Sequence, residues 1–200
     1  IKGLSHVKII LGAPILASLC QRLPTADEMI KKMKFVAVEP KYDGVRVQIH
    51  FEKSKVKSPW PGRQGRRKSK VENQESKVKT FSRNLENTTQ MFPELQTIGK
   101  QLDADAVILD SEAVGMDPQT GKLVPFQETM TRKRKHGIAE KSASVPLRFF
   151  VFDILYKDGK DLLNNPLSER RRVLEHTVKK GETLVVSPQI VTDSAEEVRR

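Results

Sequence analysis

Val45, Val47, Ile49 and Phe51 alternate with Arg46, Gln48 and His50 over seven residues. Successive side chains of a strand point to opposite faces, so this run predicts a half-buried β-strand with one apolar and one polar face. Pro40-Lys41-Tyr42-Asp43-Gly44 reads as a tight connection leading into it, and Phe35 to Val38 as a buried strand before that. Val78 to Arg83 is a second strand, expected to fold back on the first as a hairpin. The hairpin loop would be long. Residues 53–79 hold ten basic side chains against Glu72 and Glu75, and this stretch carries most of the chain's net charge of +11. The rest is close to balanced, so the expectation is a globular body with one basic insert.

Other signals punctuate the chain. Thr25 and Glu28 form a capping box ahead of Met29, Ile30 and Met33, which predicts a helix ending near Lys34. Pro93 suits a first helical position, with Phe92, Leu95, Ile98 and Leu102 as the apolar stripe. Ala106 to Met116 reads as a strand, Asp117-Pro118 with Gly121 as a turn, and Leu123 to Gln127 as the returning strand. Leu147 to Tyr156 is a strand turned by Lys157-Asp158-Gly159, and Asn165-Pro166 opens a helix carrying Leu167, Val173, Leu174 and Val178. Leu184 to Ile190 reads as a last strand. Hairpin-joined strands with interspersed helices predict an α+β fold with antiparallel sheets and packed helices.

Several classes are excluded. The single cysteine, Cys20, permits no internal disulfide and no multi-cysteine zinc site, and is expected to be a small buried hydrophobe. His6, His50, His136 and His176 show no ligand spacing. No apolar run reaches the roughly 20 residues that span a bilayer. The chain opens on Ile1 rather than Met, and Ser194 with Glu197 forms a capping box with three residues behind it. The expectation is a piece of a longer intracellular protein.

Lys41 is the candidate nucleophile. A lysine amine attacks only after neighbouring cations, a metal or desolvation strip its proton. Asp43 would support a metal, Gly44 admits close backbone approach, and Arg46 would hold a phosphate. A lone Lys-x-Asp-Gly is also a common surface turn. Its surroundings decide between the readings. Val38-Glu39-Pro40-Lys41-Tyr42-Asp43-Gly44-Val45-Arg46 resembles the first motif of the ATP-dependent DNA ligases, members of the covalent nucleotidyltransferase superfamily. Phe81-Ser82-Arg83-Asn84, Ile108-Leu109-Asp110-Ser111-Glu112-Ala113-Val114, Phe150-Val151-Phe152-Asp153-Ile154-Leu155-Tyr156 and Pro166-Leu167-Ser168-Glu169-Arg170-Arg171 are similar to later motifs, in order. Pro125-Phe126-Gln127 and Arg132-Lys133-Arg134-Lys135 resemble a characteristic ligase segment, which favours a DNA ligase over RNA ligases and capping enzymes. Pro40 departs from the pattern, standing where many members carry an aromatic residue.

The resemblance implies a partial adenylation domain over residues 1–200, with an ATP-grasp-like nucleotidyltransferase architecture, a lead-in at 1–24 and the insert at 53–79. The rest of that domain and an OB-fold would be missing, which would impair the piece on its own. Lys41 would attack the α-phosphate of ATP with Mg²⁺ present, and Asp43 would position metal or sugar. Glu39 would read the adenine edge and Phe152 would stack on it. Arg46 and Arg83 would hold ribose and phosphates, and Glu112 would contact ribose or metal. Arg83, Arg132, Lys133, Arg134 and Lys135, with Lys53, Arg66, Arg67 and Lys68 of the insert, would contact DNA. The partner implied is nicked double-stranded DNA, the enzyme a monomer in the cytoplasm, nucleoid or nucleus. The insert also reads as a solvated loop, and a non-catalytic nucleotide- or DNA-binding module or an RNA ligase or capping-type enzyme remain alternatives.

Overall fold

The computed structural model describes residues 8–54, 76–130 and 145–200. Its centre is a six-stranded sheet in the order β3 (Lys77–Phe81), β2 (Val45–Glu52), β4 (Ala106–Gly115), β5 (Leu147–Lys157), β6 (Lys160–Asp161), with β7 (Leu184–Val186) also on β5. The first five strands are antiparallel, whereas β7 runs parallel to β5. The alternation predicted for β2 holds: Val47, Ile49 and Phe51 lie on an apolar face with Leu109, Phe149, Val151 and Ile154 from the neighbouring strands.

That apolar face is covered by a 3₁₀ helix, Pro93–Gln101, and by helix α3 (Leu167–Thr177). Leu95 and Ile98 from the first and Leu174 from the second are all but inaccessible, and Phe92, Leu102 and Val178 complete the cluster. Leu95 and Ile98 are three residues apart, and three residues per turn brings such side chains onto one edge, as this tight helix requires. Phe92 meets Phe149 edge-to-face, with ring centroids 5.4 Å apart.

A smaller antiparallel pair, β1 (Val36–Val38) with β8 (Ile190–Thr192), stands beside the sheet, next to helix α1 (Ala26–Met33) and the C-terminal helix α4 (Ala195–Arg199). Thr25 and Ser194 cap the two helices as their capping boxes predict, each accepting from the backbone N–H three residues on. Helix α2 (Phe126–Met130) lies after the turn that follows β4.

Five expectations are corrected. Phe35 is 66% exposed and outside the strand, because β1 pairs only with β8 at the margin. Leu123 to Gln127 is no return strand: only Leu123 bridges back to Met116, and Phe126 already opens α2. The last strand is two, β7 and β8, broken around Pro188, which has no N–H to donate. Cys20 is exposed. The polar face of β2 is not solvated at Gln48 and His50, which are 6% and 3% exposed.

The burial of Gln48 and His50 comes from a remote stretch of chain. Residues 12–15 of the lead-in run over the polar face as a strap. Gly12 N–H donates to His50 Nδ1 at 3.0 Å, and the Gln48 side chain both accepts from Ile15 N–H at 2.8 Å and donates to Ile15 C=O at 3.0 Å. His50 Nε2 donates to Gln48 Oε1 at 2.9 Å. Burial, and then Lys79 beside it, push the imidazole pKa down to about 4.

Candidate functional site

The polar face continues past the strap. Register places Arg46 of β2 opposite Glu112 of β4 and Gln48 opposite Asp110. The same parity therefore puts Arg46, Asp110 and Glu112 on one face, two residues apart along each strand. Strand β5 adds to it through a bulge. Between the pairs Ser111 with Val151 and Asp110 with Asp153, residue Phe152 has no partner. That extra residue lets Phe152 and Asp153 both reach this face. The Phe152 ring lies 5.3 Å from the Arg46 guanidinium, and Asp153 receives Arg170 of α3 through two nitrogens, at 2.8 and 3.0 Å.

Arg46 is also held by Asp110, in a fork-to-fork ion pair with Nε at 3.0 Å from Oδ1 and the second contact between Nη2 and Oδ2. Asp110 is 4% exposed, and burial raises its pKa despite the arginine.

The loop holding Lys41 is tied down at Gly44, whose N–H donates to Glu112 Oε1 at 3.2 Å. A Cβ on Gly44 would lie 2.3 Å from the Ala113 carbonyl oxygen. Close approach of two backbones is thus the physical reason for glycine in this motif. Lys41 is exposed and makes no hydrogen bond or ion pair within the described residues, yet its charge acts on Glu112. Burial raises the Glu112 pKa, and the Gly44 N–H, Arg46 and Lys41 oppose that rise. Tyr42, next along the loop, stacks on Phe150 with ring centroids 4.0 Å apart.

Glu39 closes the cluster. It accepts from Gln189 at 2.7 Å and from Arg171 of α3 at 3.3 Å, and burial raises its pKa. Arg171 also donates to Glu175 at 2.6 Å and to the Ser187 carbonyl at 2.8 Å.

Of the residues singled out from sequence, Glu39, Lys41, Arg46, Glu112 and Phe152 thus come together. Asp43 is exposed on the same loop, with no described hydrogen bond. Arg83 is exposed in the turn after β3; that strand pairs only to Gln48, so Arg83 sits at the Arg46 end of the sheet, with no described hydrogen bond or ion pair to the cluster. Lys53 lies beyond the opposite end of β2, about 20 Å along the strand from Arg46, and pairs with Asp105 at 3.7 Å. Arg66, Arg67, Lys68, Arg132, Lys133, Arg134 and Lys135 lie outside the described residues. The insert's end is corrected: Lys77 and Lys79 belong to β3.

Sequence reasoning gave no role to Tyr42, Asp110, Asp153, Arg170, Arg171 or Gln189. Asp110 was findable, since it shares strand parity with Glu112. Gln189 carries no sequence signal, because its partner is 150 residues away. Among the described residues no group of three or more His, Cys, Asp or Glu side chains is placed to hold a metal.

This fold occurs in DNA ligases. The solved structure of mycobacterial DNA ligase D complexed with ATP and MES matches 82% of this chain and 42% of that one, with a TM-score of 0.54 at 22% identity. In sequence, the profile of the ATP dependent DNA ligase domain matches residues 63–200. The probable DNA ligases of Dictyoglomus turgidum and Dictyoglomus thermophilum are 36% and 38% identical over 200 residues, covering 100% of this chain and 31% of each relative. DNA ligase 2 of Korarchaeum cryptofilum is 36% identical over 203 residues, again with 31% of its length covered. The chain belongs to the ATP-dependent DNA ligase domain family, and it spans about a third of the length of these relatives.

Proposed function

We propose that this chain is the self-adenylating part of an ATP-dependent DNA ligase, with an ATP-grasp-like nucleotidyltransferase architecture. The neutral amine of Lys41 attacks the α-phosphorus of ATP, the bond from that phosphorus to the bridging oxygen breaks, and pyrophosphate leaves. The product is lysyl-AMP. The AMP then passes to the 5′-phosphate of a nick in double-stranded DNA, and the 3′-hydroxyl displaces it to close the strand.

The observation that supports this most is that Lys41, Arg46, Glu112 and Phe152 meet at one end of one sheet face, with Glu39 within electrostatic reach of Asp153 at its margin, from three separated stretches of chain. Phosphoryl transfer asks the protein mainly for positioning and charge neutralisation. Arg46, already aimed by Asp110 and Phe152, meets phosphate oxygens. Glu39 accepts from the adenine edge, and Phe152 presents ring area to the base.

The donor set fits a magnesium ion, which typically takes one or two carboxylates beside substrate phosphates. Glu112 has one oxygen on Gly44 and no described hydrogen bond on the other, and Asp43 is exposed nearby. When bound, Mg²⁺ supplies neutralisation of the phosphate charge.

The DNA contacts belong to the same proposal: Arg83, the basic run Arg132 to Lys135, and the insert with Lys53, Arg66, Arg67 and Lys68. Deleting the insert is expected to weaken DNA binding and flatten its salt dependence, an effect of phosphate contacts read by titration at several salt concentrations. We place the protein inside the cell and acting as a monomer. Incubation with α-labelled ATP and Mg²⁺ tests the chemistry. A covalent label, however weak, that vanishes in Lys41→Ala supports it; no label, or label retained in Lys41→Ala, overturns it.

A further inference from the structure

Glu39 is held in an uneven way. The Gln189 amide and the Arg171 guanidinium both donate to the same oxygen, Oε1, and among the described residues nothing donates to Oε2. A carboxylate with one oxygen saturated and the other open is an oriented acceptor. It suits a ligand N–H₂ group and repels a ligand carbonyl oxygen.

The two donors are themselves built in. The Arg171 side chain is only 11% exposed and is pinned by Glu175 and by the Ser187 carbonyl, so its fork is not free to swing. Gln189 lies two residues after Ser187, in the link between β7 and β8. The N–H of Ser187 donates to Val151 of β5 at 2.8 Å, which ties that link to the central sheet. Both donors also oppose the burial that raises the Glu39 pKa, and so favour its charged, accepting form.

We propose that Gln189 and Arg171 are positioning residues for nucleobase choice: by fixing Oε1 they aim Oε2 of Glu39 at the exocyclic amine of a 6-aminopurine. This rests on the adenylation reading above. A charge-assisted hydrogen bond to that amine corresponds to roughly a 10- to 100-fold preference for ATP over a nucleotide without it. Losing the aim loses the preference, while attack by Lys41 continues.

The test is a competition. ATP and purine riboside triphosphate, which lacks the 6-amino group, are mixed at equal concentration with the protein and Mg²⁺, and the two covalent adducts are separated by intact mass. Their ratio does not depend on how fast the chain labels. The parent is expected to favour the ATP adduct by roughly 10- to 100-fold, and Gln189→Met, which keeps length but has no donor, to fall to within about threefold of unity. Arg171→Lys keeps the charge without the fork and is expected to fall in between. Gln189 is half-buried at a strand end, so its replacement leaves the core intact, as the melting temperature would confirm. An unchanged ratio in Gln189→Met, even with less total adduct, overturns the positioning role and leaves the adenylation reading standing. No adduct from either nucleotide on the parent overturns both.

Discussion

The polar face of the central sheet has two ends that look alike in composition and differ in what remains unpaired. At the strap end, Gln48 and His50 are buried polar side chains whose hydrogen bonds all stay within the chain, to Gly12, Ile15 and each other. At the loop end, Lys41 has no described hydrogen bond or ion pair, and Glu39 and Glu112 each keep an oxygen without a described donor. A shifted pKa marks both ends: His50 is pushed down, and Glu39, Asp110 and Glu112 are pushed up. Perturbation alone therefore does not separate a structural group from a working one. Saturation does. His50 has its two ring nitrogens engaged and holds a segment in place, whereas Glu39 and Glu112 each keep an oxygen without a described donor.

The sharpest way to break this comparison is Lys41→Ala. It is expected to abolish covalent AMP labelling while moving unfolding free energy by no more than about 0.5 kcal/mol, as for other exposed sites. A large loss of stability would make Lys41 structural. Arg46→Ala comes next, because the loop end also carries a structural ion pair. It would leave the buried Asp110 carboxylate unpaired, at a cost of roughly 3 kcal/mol in urea unfolding, with Asp110→Asn in the same chain restoring part of it.

Gly44→Ala is expected to cost up to about 3 kcal/mol by backbone overpacking against Ala113, and to lose labelling as the loop shifts. Wild-type melting and labelling in that variant would mean the loop has slack. Gln48→Leu should do the converse. It strands the Ile15 N–H and C=O, costs roughly 2 kcal/mol, and leaves labelling of the folded protein unchanged.

The smallest step is in pH. Above about 6.5 His50 is neutral in both folded and unfolded chains. Between 6.5 and about 4 the unfolded chain takes up a proton that the folded one refuses, so the folded state loses stability as pH falls through that window. The slope is at most about 1.4 kcal/mol per unit. The raised carboxylates work in the opposite direction, so the comparison is made against a non-titrating His50→Gln variant. A stability difference that stays flat over the window would show that His50 is not held neutral.

Much of this was readable in one dimension. The period of β2 announced its apolar face, the capping residues Thr25 and Ser194 announced their helices, and the spacing of Leu95 and Ile98 announced a buried helical edge. The placement of Arg46 on the polar face of β2 was equally visible. What escaped were features with distant causes. The strap that buries Gln48 and His50 comes from more than 30 residues earlier. The bulge that turns Phe152 and Asp153 onto one face exists only in the pairing of β5 with β4. The break at Pro188 mattered because β7 and β8 join different sheets.

The sequence by itself determined the local alternatives: which residues prefer strand, cap or turn, and which motif holds the lysine proposed as nucleophile. Those are choices among neighbours, governed by side-chain period and backbone chemistry. Only the tertiary structure decided which polar groups are spent and which are kept. Gln189 and Arg171 both meet one oxygen of Glu39 because three remote segments converge there, and hydrogen-bond saturation is a property of that meeting rather than of any residue in it.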